Sequence, residues 1–152
     1  MPRALLVPDI RSLQNVGALF RTADGAGWDR LVLCGYTPTP PRAEISKTAL
    51  GAEGWMPWEY FSDVKTAIAQ LRAEGFSVVA LEKNGTSVDY REFDAAKFPK
   101  LALLLGNETA GVSPEILALC DAVVHLPMRG KKESLNVAVA AAVAMYAFAD
   151  KE

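Results

Sequence analysis

Residues 101–105 read Leu-Ala-Leu-Leu-Leu and stop at Gly106-Asn107-Glu108. A strand that carries apolar side chains in both directions must be covered on both faces. The usual solution is the interior of a parallel sheet with helices packed above and below. Such sheets gather ligands at the ends of their strands, where side chains and free backbone groups converge. Two further segments extend the pattern. Ala122 to Leu126 is a second apolar run, closed by Pro127-Met128, and Ser134-Leu135-Asn136 leads into an apolar helix expected over 134–149.

The rest of the chain alternates in the same manner. Strands are expected at Arg3–Val7, Arg30–Cys34 and Phe76–Leu81, and helices from about Asn15 to Gly25, over 43–50 and after Ser62-Asp63. Val16, Leu19, Phe20 and Ala23 recur at helical spacing, and Gly25 and Gly27 end that helix. The alternation predicts one α/β domain over 1–152 with a mainly parallel sheet. Gly17 interrupts its helix at a cost of up to ~1 kcal/mol relative to Ala, so a close approach is expected there. Trp55, Trp58, Tyr60 and Phe61 form an aromatic cluster expected to be core. Cys34 and Cys120 lack metal-site or disulfide-framework spacing and are expected to be small buried hydrophobes.

Composition narrows the function classes. Sixteen Lys and Arg against eighteen Asp and Glu give a net charge of −2, so any nucleic-acid contact needs a local basic patch. Arg11, Arg21, Arg42, Lys47, Arg129, Lys131 and Lys132 are the candidates. No apolar run reaches the ~18 residues of a membrane span. The start is too short for a signal peptide, so a cytoplasmic location is expected. No P-loop is present, and no G-x-G-x-x-G follows the first strand, which argues against a Rossmann-type oxidoreductase.

The strand-end loops carry several polar candidates. Glu108 lies in the G-x-E-x-x-G loop 106–111, where a carboxylate would repel a pyrophosphate but accept from hydroxyls or amino groups, or offset a cation. Leu126-Pro127-Met128-Arg129-Gly130 can present bare backbone groups to an adenine edge. Local rules make Asn15 and Ser134 helix N-caps and leave Asn136 without a local task. Arg21, between apolar neighbours, is expected to face inward and be paired. The last helix is apolar all round and must be covered on every side, so a homodimer is expected.

Three stretches in order resemble the SpoU/TrmH family of RNA 2′-O-ribose methyltransferases, within the knotted SPOUT superfamily. They are Asn15-x-Gly17-x-x-x-Arg21-x-Ala23, Leu105-Gly106-Asn107-Glu108-x-x-Gly111, and Leu126-Pro127-Met128-x-Gly130-x-x-x-Ser134-Leu135-Asn136-Val137. The third is the most specific, because no folding rule demands it.

The resemblance implies a deep C-terminal trefoil knot and S-adenosyl-L-methionine (AdoMet) as cofactor, with no metal. It places AdoMet against Leu81, Glu82, Gly106, Asn107, Glu108, Leu126, Pro127, Met128, Ser134, Leu135 and Asn136. It makes Arg21 the catalytic arginine, with Asn15, Glu108, Ser134 and Asn136 around it. Arginine keeps its proton to pH ~12 or beyond, so positioning a phosphate and stabilising oxyanion charge is the expected task of Arg21. Many relatives carry an added RNA-binding domain. Its absence here would leave RNA to Arg11, Arg42, Lys47, Arg129, Lys131 and Lys132, with tRNA favoured over ribosomal RNA. A catalytically silent RNA-binding protein of the same fold is the rival reading.

Overall fold

The computed structural model describes residues 1–150. Seven strands form one sheet: β1 (Arg3–Pro8), β2 (Arg30–Cys34), β3 (Trp58–Phe61), β4 (Ser77–Leu81), β5 (Val88–Asp89), β6 (Leu101–Leu104) and β7 (Ala122–His125). Their order is β3-β2-β1-β6-β4-β7-β5, and every pairing is parallel. The helices are α1 (Leu13–Gly25), α2 (Ala43–Ala49), α3 (Val64–Ala73), α4 (Pro114–Leu117) and α5 (Val137–Ala147).

β6 occupies the centre, as its uninterrupted apolar run requires. Leu101, Leu103 and Leu105 face the layer built from α1 and α5, while Ala102 and Leu104 face the layer of α3. β1 alternates in the same way, with Leu5 and Val7 on one face and Ala4 and Leu6 on the other. Each strand thus divides its side chains between two cores. Arg3 is the exception, a charged residue only 1% exposed. Its guanidinium donates to the carbonyls of Phe148, Phe98 and Ala95, so it ties β1 to the end of α5 and to the 95–99 turn. Burial lowers its pKa, and Asp150 and Asp29 oppose that shift.

The expected close approach at Gly17 is present. A Cβ there would overlap Thr48 Oγ1 and the carbonyl oxygen of Ile45, so the missing side chain lets α1 lie against α2. Cys34 is buried and Cys120 half-buried, and neither is in a disulfide.

Several local expectations need correction. Ser12, not Asn15, caps α1, its hydroxyl accepting from the Asn15 amide. Asn136, not Ser134, caps α5, accepting from the amides of Ala138 and Val139. α5 therefore starts three residues later than expected. The local rule ranks Ser and Asn alike, and the loop closing on the sheet decides between them. The aromatic cluster is core only in part: Phe61 packs against the core, whereas Tyr60 on the edge strand β3 is 48% exposed and Trp55, in the turn before it, is 64% exposed. α5 is not covered on every side within one chain. Val139 and Tyr146 stand 51% and 60% exposed on its outer side.

Candidate functional site

β6, β4 and β7 are neighbours, so the loops that follow them meet at one end of the sheet. They enclose a cavity of about 490 Å³, within the range typical of small-molecule sites. Its lining includes Leu81, Glu82, Gly106, Asn107, Glu108, Leu126, Met128, Ser134, Leu135 and Asn136. All the expected cofactor residues are thus brought together except Pro127, which shapes the loop without lining the cavity.

The polar groups of these loops hold one another. Asn107 donates to the carbonyl of Asp9 and accepts from the amides of Thr109 and Ala110, folding the loop over its own side chain. Glu82 accepts from the amides of Val112 and Lys83. Gly111 sits at φ +66°, and a Cβ there would strike the Glu82 carboxylate. At Gly106 a Cβ would stand 3.1 Å from the Gly111 backbone. The two glycines of the G-x-E-x-x-G loop therefore let β4 and β6 loops close on each other. Glu108 accepts from the amides of Arg11 and Ser12 at 3.3 Å, so it anchors the segment entering α1 rather than pointing free into solvent.

Asn15 and Arg21 lie outside this cavity. Asn15 still reaches its rim, because its Oδ1 accepts from Asn136 Nδ2 at 3.3 Å. That contact joins the first turn of α1 to the cap of α5. Arg21 is exposed and has no hydrogen bond or ion pair among the described residues, against the expectation that it faces inward and is paired. It lines an open cleft of about 620 Å³ with Lys47, Thr48, Ala142 and Tyr146. The cause is geometric: Leu19, Phe20 and Ala23 take the buried side of α1, and Arg21 takes the other.

The basic candidates are scattered. Arg11, Arg42, Lys47, Arg129, Lys131 and Lys132 are all exposed. Arg11 lies over the ring of Tyr36, 5.5 Å from its centroid, and the Tyr36 hydroxyl accepts from Asn107. Arg42 faces Glu44 at 3.8 Å. Arg129, Lys131 and Lys132 occupy the loop between β7 and α5 beside the cavity. Among the described residues no cluster of His, Cys, Asp and Glu could hold a metal.

Sequence reasoning passed over His125, the only histidine of the chain. It ends β7 and lines the cavity. Its Nδ1 lies 2.9 Å from Ser87 Oγ. Its one visible signal was its place immediately before Leu126-Pro127-Met128.

Comparison with known proteins gives a consistent result. A model of the SpoU rRNA Methylase family matches residues 2–146. A tRNA (guanosine(18)-2′-O)-methyltransferase of Thermus thermophilus is 34% identical over 142 residues, which cover 93% of this chain and 71% of that protein. A 23S rRNA (guanosine(2553)-2′-O)-methyltransferase of Bacillus subtilis is 34% identical over 145 residues, 95% of this chain and 56% of that one. Among solved structures, an AdoMet-bound rRNA methyltransferase from Sinorhizobium meliloti superposes with a TM-score of 0.89 at 31% identity, over 96% of this chain and 55% of its own. The chain thus spans just over half of two of these relatives and most of the third.

Proposed function

The chain belongs to the SpoU rRNA Methylase family, and on that premise we propose that it is an AdoMet-dependent RNA 2′-O-ribose methyltransferase acting on tRNA. The enzyme class and the cofactor follow from the family and from relatives named for 2′-O-methyl transfer. The observation that carries the reading is the convergence of the second and third motifs on one cavity. tRNA is preferred because the Thermus relative, of which the chain covers 71%, is named for it. Ribosomal RNA is the second substrate class, after the Bacillus and Sinorhizobium relatives.

The residues present suit the cofactor. Leu81, Leu105, Leu126, Met128, Leu135 and Val137 offer apolar surface, and Glu82, Glu108 and Glu133 offset positive charge. That combination fits a ligand that is part apolar nucleoside and part cation. When bound, AdoMet would supply an electrophilic methyl group carried on a cationic sulfur. The chain's own contribution is alignment. Asn136 and Asn15 hold α5 and α1 together at the rim, and Glu108 fixes the entry to α1. Holding two reactants in line supplies much of the acceleration in such a transfer. Arg21 serves the RNA: it grips a phosphate and stabilises charge developing on the ribose oxygen.

Arg21 lies on the side of α1 that meets Ala142 and Tyr146 of α5. The same side of α5 leaves Tyr146 open to solvent, and burial of that surface in a homodimer would enclose the Arg21 cleft. Light scattering at micromolar concentration is expected to give a dimer, and Tyr146→Glu a monomer. The strand order supports the C-terminal knot: β7 is laid between β4 and β5, both earlier in the chain. The chain has no helix long and apolar enough to cross a membrane among its described residues, in keeping with a cytoplasmic place of action.

The test is methyl transfer from tritiated AdoMet to unmodified tRNA and to ribosomal RNA fragments. Label in a dinucleotide that survives alkaline hydrolysis identifies a 2′-O-methyl ribose. Label on tRNA at a higher rate than on ribosomal RNA is expected. Label on a base, or on neither RNA, contradicts the reading.

A further inference from the structure

Most side-chain acceptors around the cavity are already occupied by the protein. Both oxygens of Glu82 accept from backbone amides, as do both oxygens of Glu108. Asn107 Oδ1 and Asn136 Oδ1 each accept from two amides. What remains among the lining side chains is Glu133, the hydroxyls of Thr109 and Ser134, and the imidazole of His125.

The tautomer of that imidazole is tied to its neighbour, Ser87. Ser87 Oγ has one proton, and the carbonyl of Asn84 stands 2.9 Å away in position to accept it. The same oxygen accepts from the amide of Asn84 at 3.1 Å. With that proton on the Asn84 carbonyl, its third contact, to His125 Nδ1 at 2.9 Å, is one in which Ser87 accepts and Nδ1–H donates. A neutral imidazole with its proton on Nδ1 carries a bare lone pair on Nε2. Nε2 has no partner among the described residues. Ser87 belongs to the strap 82–87 and does not line the cavity, whereas His125 does.

We infer that His125 is a cofactor-binding residue whose Nε2 accepts a hydrogen bond from a ribose hydroxyl of AdoMet, with Ser87 as the positioning residue that fixes the tautomer. The inference rests on the cofactor reading above. The choice of ribose comes from the matching of partners: the cationic groups of the ligand suit the Glu133 carboxylate, while a neutral hydroxyl suits a neutral acceptor. His125 also directly precedes Leu126-Pro127-Met128, the loop suited to an adenine edge. A hydroxyl attached next to the base falls within its neighbourhood.

The chain's single histidine makes the test direct. Nitrogen-15 spectra of the untagged protein at neutral pH report which ring nitrogen is protonated. The free chain is expected to show protonated Nδ1 and bare Nε2. Saturating AdoMet, or adenosine, moves the Nε2 resonance as hydrogen-bond acceptance does, and 2′,3′-dideoxyadenosine leaves it in place. In calorimetric titration, His125→Leu weakens AdoMet by about tenfold, the loss of one hydrogen bond with its partner left unpaired. Ser87→Ala keeps the cavity lining, lets the proton exchange between the two nitrogens, and weakens AdoMet by about threefold.

A bare Nδ1 in the free protein overturns the inference. So does an Nε2 resonance indifferent to bound AdoMet, or an unchanged affinity in both variants. These outcomes leave the cofactor reading standing. Failure of the wild-type chain to bind AdoMet in the titration overturns both together.

Discussion

In the loops after β4, β6 and β7, Glu82, Asn107, Glu108 and Asn136 each already accept from backbone amides, whereas Arg21 on the outer side of α1 has no partner among the described residues. The first region is built in advance. Its glycines permit loop closure, its polar side chains hold the loops in place, and its cavity is present without RNA or a second chain. The second is an open cleft edged by two cations, Arg21 and Lys47, and an exposed tyrosine. A long, charged, solvated side chain gains little from its own protein and is free to meet a phosphate. The difference is between a pocket whose walls are already fixed and a cleft left open; on the proposed function, the first takes the methyl donor and the second is completed by something from outside the single chain.

Substitutions can separate the two regions. Arg21→Ala is expected to lower methyl transfer to tRNA by about 100-fold or more, the scale of losing a charge-stabilising donor. Transfer within about threefold of wild type would remove Arg21 from the chemistry. Gly17→Ala acts on the scaffold between the regions. A Cβ there collides with a backbone carbonyl of α2, which cannot simply turn aside. Overpacking of this kind costs about 2 kcal/mol, readable as a lower urea midpoint with an unchanged slope. An unchanged midpoint would mean that α1 and α2 do not touch as described.

Asn136→Ala removes the cap of α5 and its contact with Asn15, and about 1 kcal/mol of stability should go with it. Ser134→Ala, at the position local rules would choose, should cost no cap. The smallest effect concerns the cysteines. Burial pushes the Cys34 thiol up to about 12 and the Cys120 thiol up to about 11. Both remain protonated at pH 8, so iodoacetamide should label neither until the chain unfolds. Unfolded thiols ionise near their ordinary value of 9.0, hence stability should fall as pH rises from there toward 12. Rapid labelling of the native chain at pH 8 would contradict this burial.

Five of the seven strands were legible because they are largely apolar runs between helices with caps or glycine stops, whereas β3 and β5 mix polar with apolar residues and were not expected. The cavity was legible because residue order in the third motif is demanded by no folding rule. Other features turn on information the local sequence lacks. Ser12 and Asn136 win their caps through the packing of loops, not through a preference that separates them from Asn15 and Ser134. The place of β3 at the sheet edge leaves Trp58 and Tyr60 exposed, and strand order is a non-local property. The outward turn of Arg21 could be read from the helical phase, since Leu19, Phe20 and Ala23 fix the buried side. His125 gained meaning only when the fold brought Ser87 beside it.

The division of labour is tested most directly by titrating AdoMet, without RNA, into the wild-type chain and into Arg21→Ala. Equal affinity within about twofold is expected, because Arg21 lies outside the cavity proposed for AdoMet. Loss of AdoMet binding in Arg21→Ala, with the fold intact by circular dichroism, would contradict the account.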